Sequence, residues 1–162
     1  MKVSVPRLFL EGQRAHCRGL TLLELLLAIV VLGTLMTLAV STYGSYVERV
    51  KVATAETDIT QLETQIAVYQ QTYFTLPTSL AQIGADKRLD PWGHPYYYLD
   101  FTGLRGTGQM RKDRNLVPIN SDYDLYSAGA DGATKTPLVA PVSQDDVIRA
   151  NNGAFVGLAS DY

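Results

Sequence analysis

The 162-residue sequence predicts an α+β fold: one long N-terminal helix, transmembrane in its first half, packed on a small C-terminal antiparallel sheet. Three observations predict it. Residues 20–40 are apolar or weakly polar except at Glu24, about the length a helix needs to cross a hydrocarbon core. Beyond Gly44 comes a long stretch without proline in which apolar residues recur at helical spacing. After Phe74 the composition shifts to the Pro, Gly and Tyr of turns and short strands.

The first segment, residues 1–19, carries Lys2, Arg7, Arg14 and Arg18 against the single acid Glu11. The positive-inside tendency therefore holds this end in the cytoplasm and sends everything after about Tyr43 across the membrane. An ordinary secretory signal pairs the same basic start with a shorter apolar run and a small-residue cleavage site after it. Here the run is too long, and STYGSYVERV after Val40 continues as helix. The only small-residue boundary, Gly19, precedes the run, so cleavage there removes the basic leader and leaves the apolar helix as the new N-terminus. Three parts result: a leader 1–19, a membrane half-helix 20–43 and an exported domain 44–162.

Val52, Ala55, Ile59, Leu62, Ile66, Tyr69 and Tyr73 step by three or four and form one stripe, with Asp58, Gln61, Glu63 and Gln65 off it. The stripe predicts a core face, and at about 1.5 Å per residue a helix from Leu20 to Tyr73 is roughly 80 Å long. LPTSLAQIG then predicts a short helix over 78–83, ended by Gly84. DPWGHPYYYLDF predicts a proline turn at 90–93 with Trp92 as its hydrophobic plug, then a strand over 96–101. Gly103, Gly106 and Gly108 predict a hairpin turn into a second strand near 109–111, and a third strand is expected over 123–127.

Few residues promise chemistry. His16 lies in the leader and His94 in a proline turn, neither with an evident partner for acid/base or metal work. No G-x-S-x-G element or nucleotide-binding loop appears. Arg111-Lys112-Asp113-Arg114 reads as a solvated charge run. Losing the leader removes four of the 14 basic and one of the 16 acidic residues, which leaves 10 against 15 and a net charge of −5. So acidic a chain has no evident affinity for nucleic acid. Cys17 is the only cysteine, so a chain that lost the leader would have no disulfide.

A basic leader ending in Gly19, then Leu20-Thr21-Leu22-Leu23-Glu24 and an apolar helix, resembles the prepilin signature of type IV pilins and type II secretion pseudopilins. The resemblance implies that a membrane-embedded prepilin peptidase cuts after Gly19 and methylates the new N-terminal Leu20. It also implies a role for Glu24 in assembly. A charge in the membrane costs about 2.5 to 3.5 kcal/mol at mid-helix, and the amine freed at Leu20 lies at the same depth. In the family this carboxylate pairs with the N-terminal amine of the neighbouring subunit and sets the register of a helical filament.

ETDITQLETQIAVYQ, DPWGHPYYY and DYDLYSAGADG extend the likeness to the G-type pseudopilins of type II secretion systems, with a type IV pilin-like fold. That family holds its C-terminal loop with a calcium ion, which implies carboxylates from Asp131, Asp145 and Asp146 and main-chain oxygens near Ala128 and Ser143. Asp122 and Asp124 are alternative ligands. The loop between Asp131 and Asp145 is longer than usual and holds two prolines, and it lacks the EF-hand spacing.

The function implied is a non-enzymatic structural subunit. It would sit single-pass in a bacterial inner membrane with its C-terminal domain in the periplasm, and polymerise with itself and minor pseudopilins. An assembly platform, a cytoplasmic ATPase and an outer-membrane secretin complete the partners. A subunit of a type IV pilus and a single-pass membrane enzyme or receptor are the alternatives.

Overall fold

The computed structural model describes residues 20–162, the side chains of 38–42 excepted; the leader and Gly19 lie outside it. Helix α1 spans Leu22–Tyr73. It starts where Thr21 caps it: the Glu24 amide donates to Thr21 Oγ1 at 3.2 Å, and the Glu24 and Leu25 amides both reach the Thr21 carbonyl at 3.1 Å. Thr followed three residues later by Glu is the capping-box pattern, which satisfies N–H groups that the first turn cannot pair internally. The helix ends at Phe74, whose φ of 60° turns the chain left-handed while its N–H reaches the Gln70 carbonyl at 2.8 Å.

The chain divides into two units after Thr42. In the first, every described side chain of residues 20–37 is exposed, including Leu22 at 80 % and Leu23 at 77 %. Thr34 and Thr37 donate their hydroxyls to the carbonyls of Val31 and Gly33, so these polar groups need no solvent. Among the described residues no helix is long and apolar enough to cross a membrane. The expected insertion of 20–43 rests on the sequence.

In the second unit the helical stripe is the core. Ala55, Ile59, Leu62 and Ile66 are buried against Leu80, Ala85, Tyr96, Tyr123, Leu125 and Val147. Ile59, Leu62 and Ile66, fully buried, each stabilise by about 1.5–3 kcal/mol. Val52 packs at the edge of this core, whereas Tyr73 stays 61 % exposed and packs on Tyr69, ring centroids 4.5 Å apart. The stripe therefore buries one turn less than its periodicity suggests. The short helix is a single 3₁₀ turn over Leu80–Ile83, closed by Gly84 in the left-handed conformation with its N–H on the Ala81 carbonyl.

Four strands follow: β1 Tyr97–Asp100, β2 Tyr123–Ser127, β3 Val147–Ala150 and β4 Phe155–Leu158. They pair antiparallel in the order β1-β2-β3-β4. Tyr97 faces Tyr126, Ser127 faces Val147, and Ala150 faces Phe155. Period-two alternation gives the sheet two faces. Tyr123, Leu125 and Val147 meet α1, while Ile148 and Ala150 join a second cluster with Ile119, Leu138 and Ala159. Strand β3 is consequently buried at every position.

The strand expected near 109–111 does not form. Met110 and Arg111 are buried, and this segment makes only isolated bridges and turns: the Lys112 amide reaches the Thr136 carbonyl at 3.0 Å and the Leu138 amide the Lys112 carbonyl at 2.9 Å. The excursion between β1 and β2 supports the second face of the sheet instead of extending its edge, because the Arg111 amide is held on Asp124 Oδ2 at 2.6 Å. Strands β3 and β4 were not anticipated by sequence.

Candidate functional site

The expected calcium loop is folded by its own hydrogen bonds. Asp145 Oδ2 accepts the amides of Ala130 at 3.0 Å and Asp131 at 3.2 Å, and Asp131 Oδ1 accepts that of Ala133 at 2.8 Å. Asp131 and Asp145 line one open groove with Glu48, Val52 and Trp92. Trp92 is half-buried on the helix core as expected of a plug, and it also donates from Nε1 to Glu48 Oε1 at 2.7 Å. Gly129, at φ 64°, lies so close to the Asp145 backbone that a Cβ there would stand 2.2 Å from the carbonyl oxygen.

Asp146, fully buried, is directed elsewhere. Its Oδ2 accepts from Arg111 Nη2 at 2.5 Å and from Thr134 Oγ1 at 2.7 Å, while Oδ1 has no partner among the described residues. Burial pushes the Asp146 carboxyl above its ordinary pKa, opposed by the Arg111 charge. The Ser143 hydroxyl accepts from the Lys135 amide and donates to the Lys135 carbonyl. Among the described residues no group of three or more Asp, Glu, His or Cys is arranged to hold a metal ion. Of the expected ligands, Asp131 and Asp145 thus hold loop amides, Asp146 holds Arg111 and Thr134 through Oδ2, Ser143 holds Lys135, and Ala128 is buried.

The alternatives are engaged too. Asp124 is buried, its oxygens accepting the Arg111 amide and Asn120 Nδ2, and Asp122 forks Arg149 through both carboxylate oxygens. Arg149 Nε also reaches Glu63 Oε1 of α1 at 2.8 Å, and its guanidinium lies 4.0 Å from the centre of the Tyr123 ring. Sequence reasoning missed both arginines. Arg111 sits in a charge run whose sequence suggests a solvated face, but it is 2 % exposed. The signal for Arg149 was present: one charge inside the strand-length apolar run VIRA.

The other candidate site is the start of α1. Leu20 is 66 % exposed, and Glu24 occupies the first turn, where a carboxylate complements the helix dipole. It is the one acid among residues 20–37, whose leucines and valines nothing in this unit covers. Residues 14–40 match the prokaryotic N-terminal methylation motif. The chain is similar to type II secretion system core protein G of Pseudomonas aeruginosa, 30 % identical over 74 % of this chain and 88 % of that one. Core protein G of Dickeya chrysanthemi is 37 % identical over 84 % of this chain and 88 % of its own length, and that of Escherichia coli 30 % identical over 74 % and 86 %. The chain belongs to the type II secretion system core protein G family.

As a core protein G family member it carries Gly19, Leu20 and Glu24 inside the matched methylation motif. Its pilin-like arrangement is the helix-on-sheet packing of the second unit. No solved structure matches the chain.

Proposed function

We propose that this chain is the structural, non-enzymatic subunit of a type II secretion pseudopilus. Prepilin peptidase cleaves after Gly19 and methylates Leu20; residues 20–43 anchor the chain in the inner membrane, and 44–162 stand in the periplasm. Subunits polymerise through their N-terminal helices, together with minor pseudopilins, on a platform driven by a cytoplasmic ATPase, and the filament helps move proteins through the secretin.

The observation that carries this reading is the uncovered apolar helix with its single acid. Residues 20–37 expose leucine and valine on all sides, a surface that only lipid or other copies of the helix make stable. Within that surface Glu24 has a capped backbone but no cationic side chain in the same turn, since Leu22, Leu23, Leu25 and Leu26 surround it. The amine of a neighbour's Leu20 is the cation that processing creates.

The test is the intact mass and N-terminal residue of the protein purified from its native membrane. A chain beginning at methylated Leu20 is expected. One that keeps the leader has no free amine at Leu20 and refutes the assembly role of Glu24. With processing established, Glu24→Ala is expected to insert and be cleaved yet yield few filaments.

A further inference from the structure

Three segments far apart in sequence converge on one buried cation. Arg111 reaches Asp146 from the excursion between β1 and β2, and Thr134 joins them from the acidic loop, donating its hydroxyl to the same Asp146 oxygen that Arg111 holds. Arg111 Nη1 in turn donates to Thr134 Oγ1, which closes a triangle of arginine, threonine and aspartate. The ion pair is nearly dry: the side chains of Arg111 and Asp146 are 3 % and 0 % exposed. Beneath it the guanidinium lies 4.3 Å from the centre of the Tyr126 ring. The Arg111 backbone is fastened as well, its amide on Asp124 and its carbonyl accepting from the Ile119 amide at 3.1 Å.

We propose that Arg111 is the built-in cation of the 128–146 loop and does in this chain the work that the family resemblance assigns to calcium. Closing an acidic loop needs positive charge at its carboxylates, and a guanidinium supplies it with fixed geometry and without leaving. Asp145 needs no cation, because two amides cap its Oδ2. A divalent ion added at Asp146 meets a like charge on the same carboxylate. Among the described residues Asp146 Oδ1 and Arg111 Nε have no partner, so the contact between the two side chains runs through Oδ2 and Nη2. This inference stands apart from the secretion reading, and its test uses no secretion assay.

The test is thermal unfolding of the full chain in detergent micelles, in chelator and in millimolar calcium chloride, with amide exchange at Ala130, Asp131 and Lys135. The melting temperature is expected to agree within about 1 °C between the two, because a ligand that does not bind the native state adds no stability. Arg111→Gln is expected to speed exchange at those amides by about tenfold or more, through local opening of the loop. If that variant does not fold, Thr134→Val, which removes one corner of the triangle and no charge, is expected to speed the same amides. A wild-type melt that climbs with free calcium overturns the proposal, and so does a folded variant whose loop exchanges as slowly as wild type.

Discussion

Replacing Arg149 by methionine removes a buried cation while keeping most of its side-chain volume. Arg149 is 4 % exposed and joins Asp122, Glu63 of α1 and the Tyr123 carbonyl, so it ties the helix to the sheet. Burial alone pushes its pKa down, yet the bonds to Asp122 and Glu63 outweigh burial and the net direction is up. The balance therefore favours the charged, paired state. Glu63 and Asp122 keep partial solvent contact, at 25 % and 34 % of their side chains, so each pair is discounted to about 1 kcal/mol. Stacking on Tyr123 adds about 1 kcal/mol, and methionine recovers part of the total by avoiding the guanidinium's desolvation. The expected loss is about 2 kcal/mol, or about 6 °C in melting temperature for a chain of this size. Urea unfolding of the wild type, Arg149→Met, Glu63→Gln and the double variant measures it, with a helix-to-sheet coupling of about 1 kcal/mol expected from the cycle. A methionine variant within about 0.5 kcal/mol of wild type refutes the reasoning.

Phe74 holds a left-handed conformation with its side chain 89 % exposed, so Phe74→Gly is expected to stabilise by about 1 kcal/mol, read as a raised urea midpoint. Gly129→Ala is expected to cost more than about 1 kcal/mol, because its Cβ meets the Asp145 backbone; a neutral melt argues against that close approach. Burial comes first among the causes that raise Glu56, Asp124 and Asp146 above their ordinary pKa values. A carboxyl raised on folding binds its proton more tightly in the native state, so these groups cost stability at neutral pH and the cost fades as pH falls through their folded values. Stability is therefore expected to hold or rise slightly from about pH 7 to about pH 5, and a steep loss there counts against these shifts.

Local pattern determined several parts of this protein. Ala55, Ile59, Leu62 and Ile66 were legible as core because a helix repeats every 3.6 residues and one face must be dry. Residues 123–127 were legible as a short strand, and Gly84 as a helix stop by its backbone freedom. Gly19, Leu20 and Glu24 stood out because a carboxylate is rare in an apolar run, and the motif match over 14–40 contains them. Strand β3 was hidden because both its faces are covered, which erases the alternation that marks a half-buried strand. What only the tertiary structure decided is where the charges go. Arg111 and Asp146 are 35 residues apart, and Arg149 and Glu63 86 apart. A buried arginine and a solvated one look alike in sequence, since its cost depends on which carboxylates the fold brings within a few ångströms.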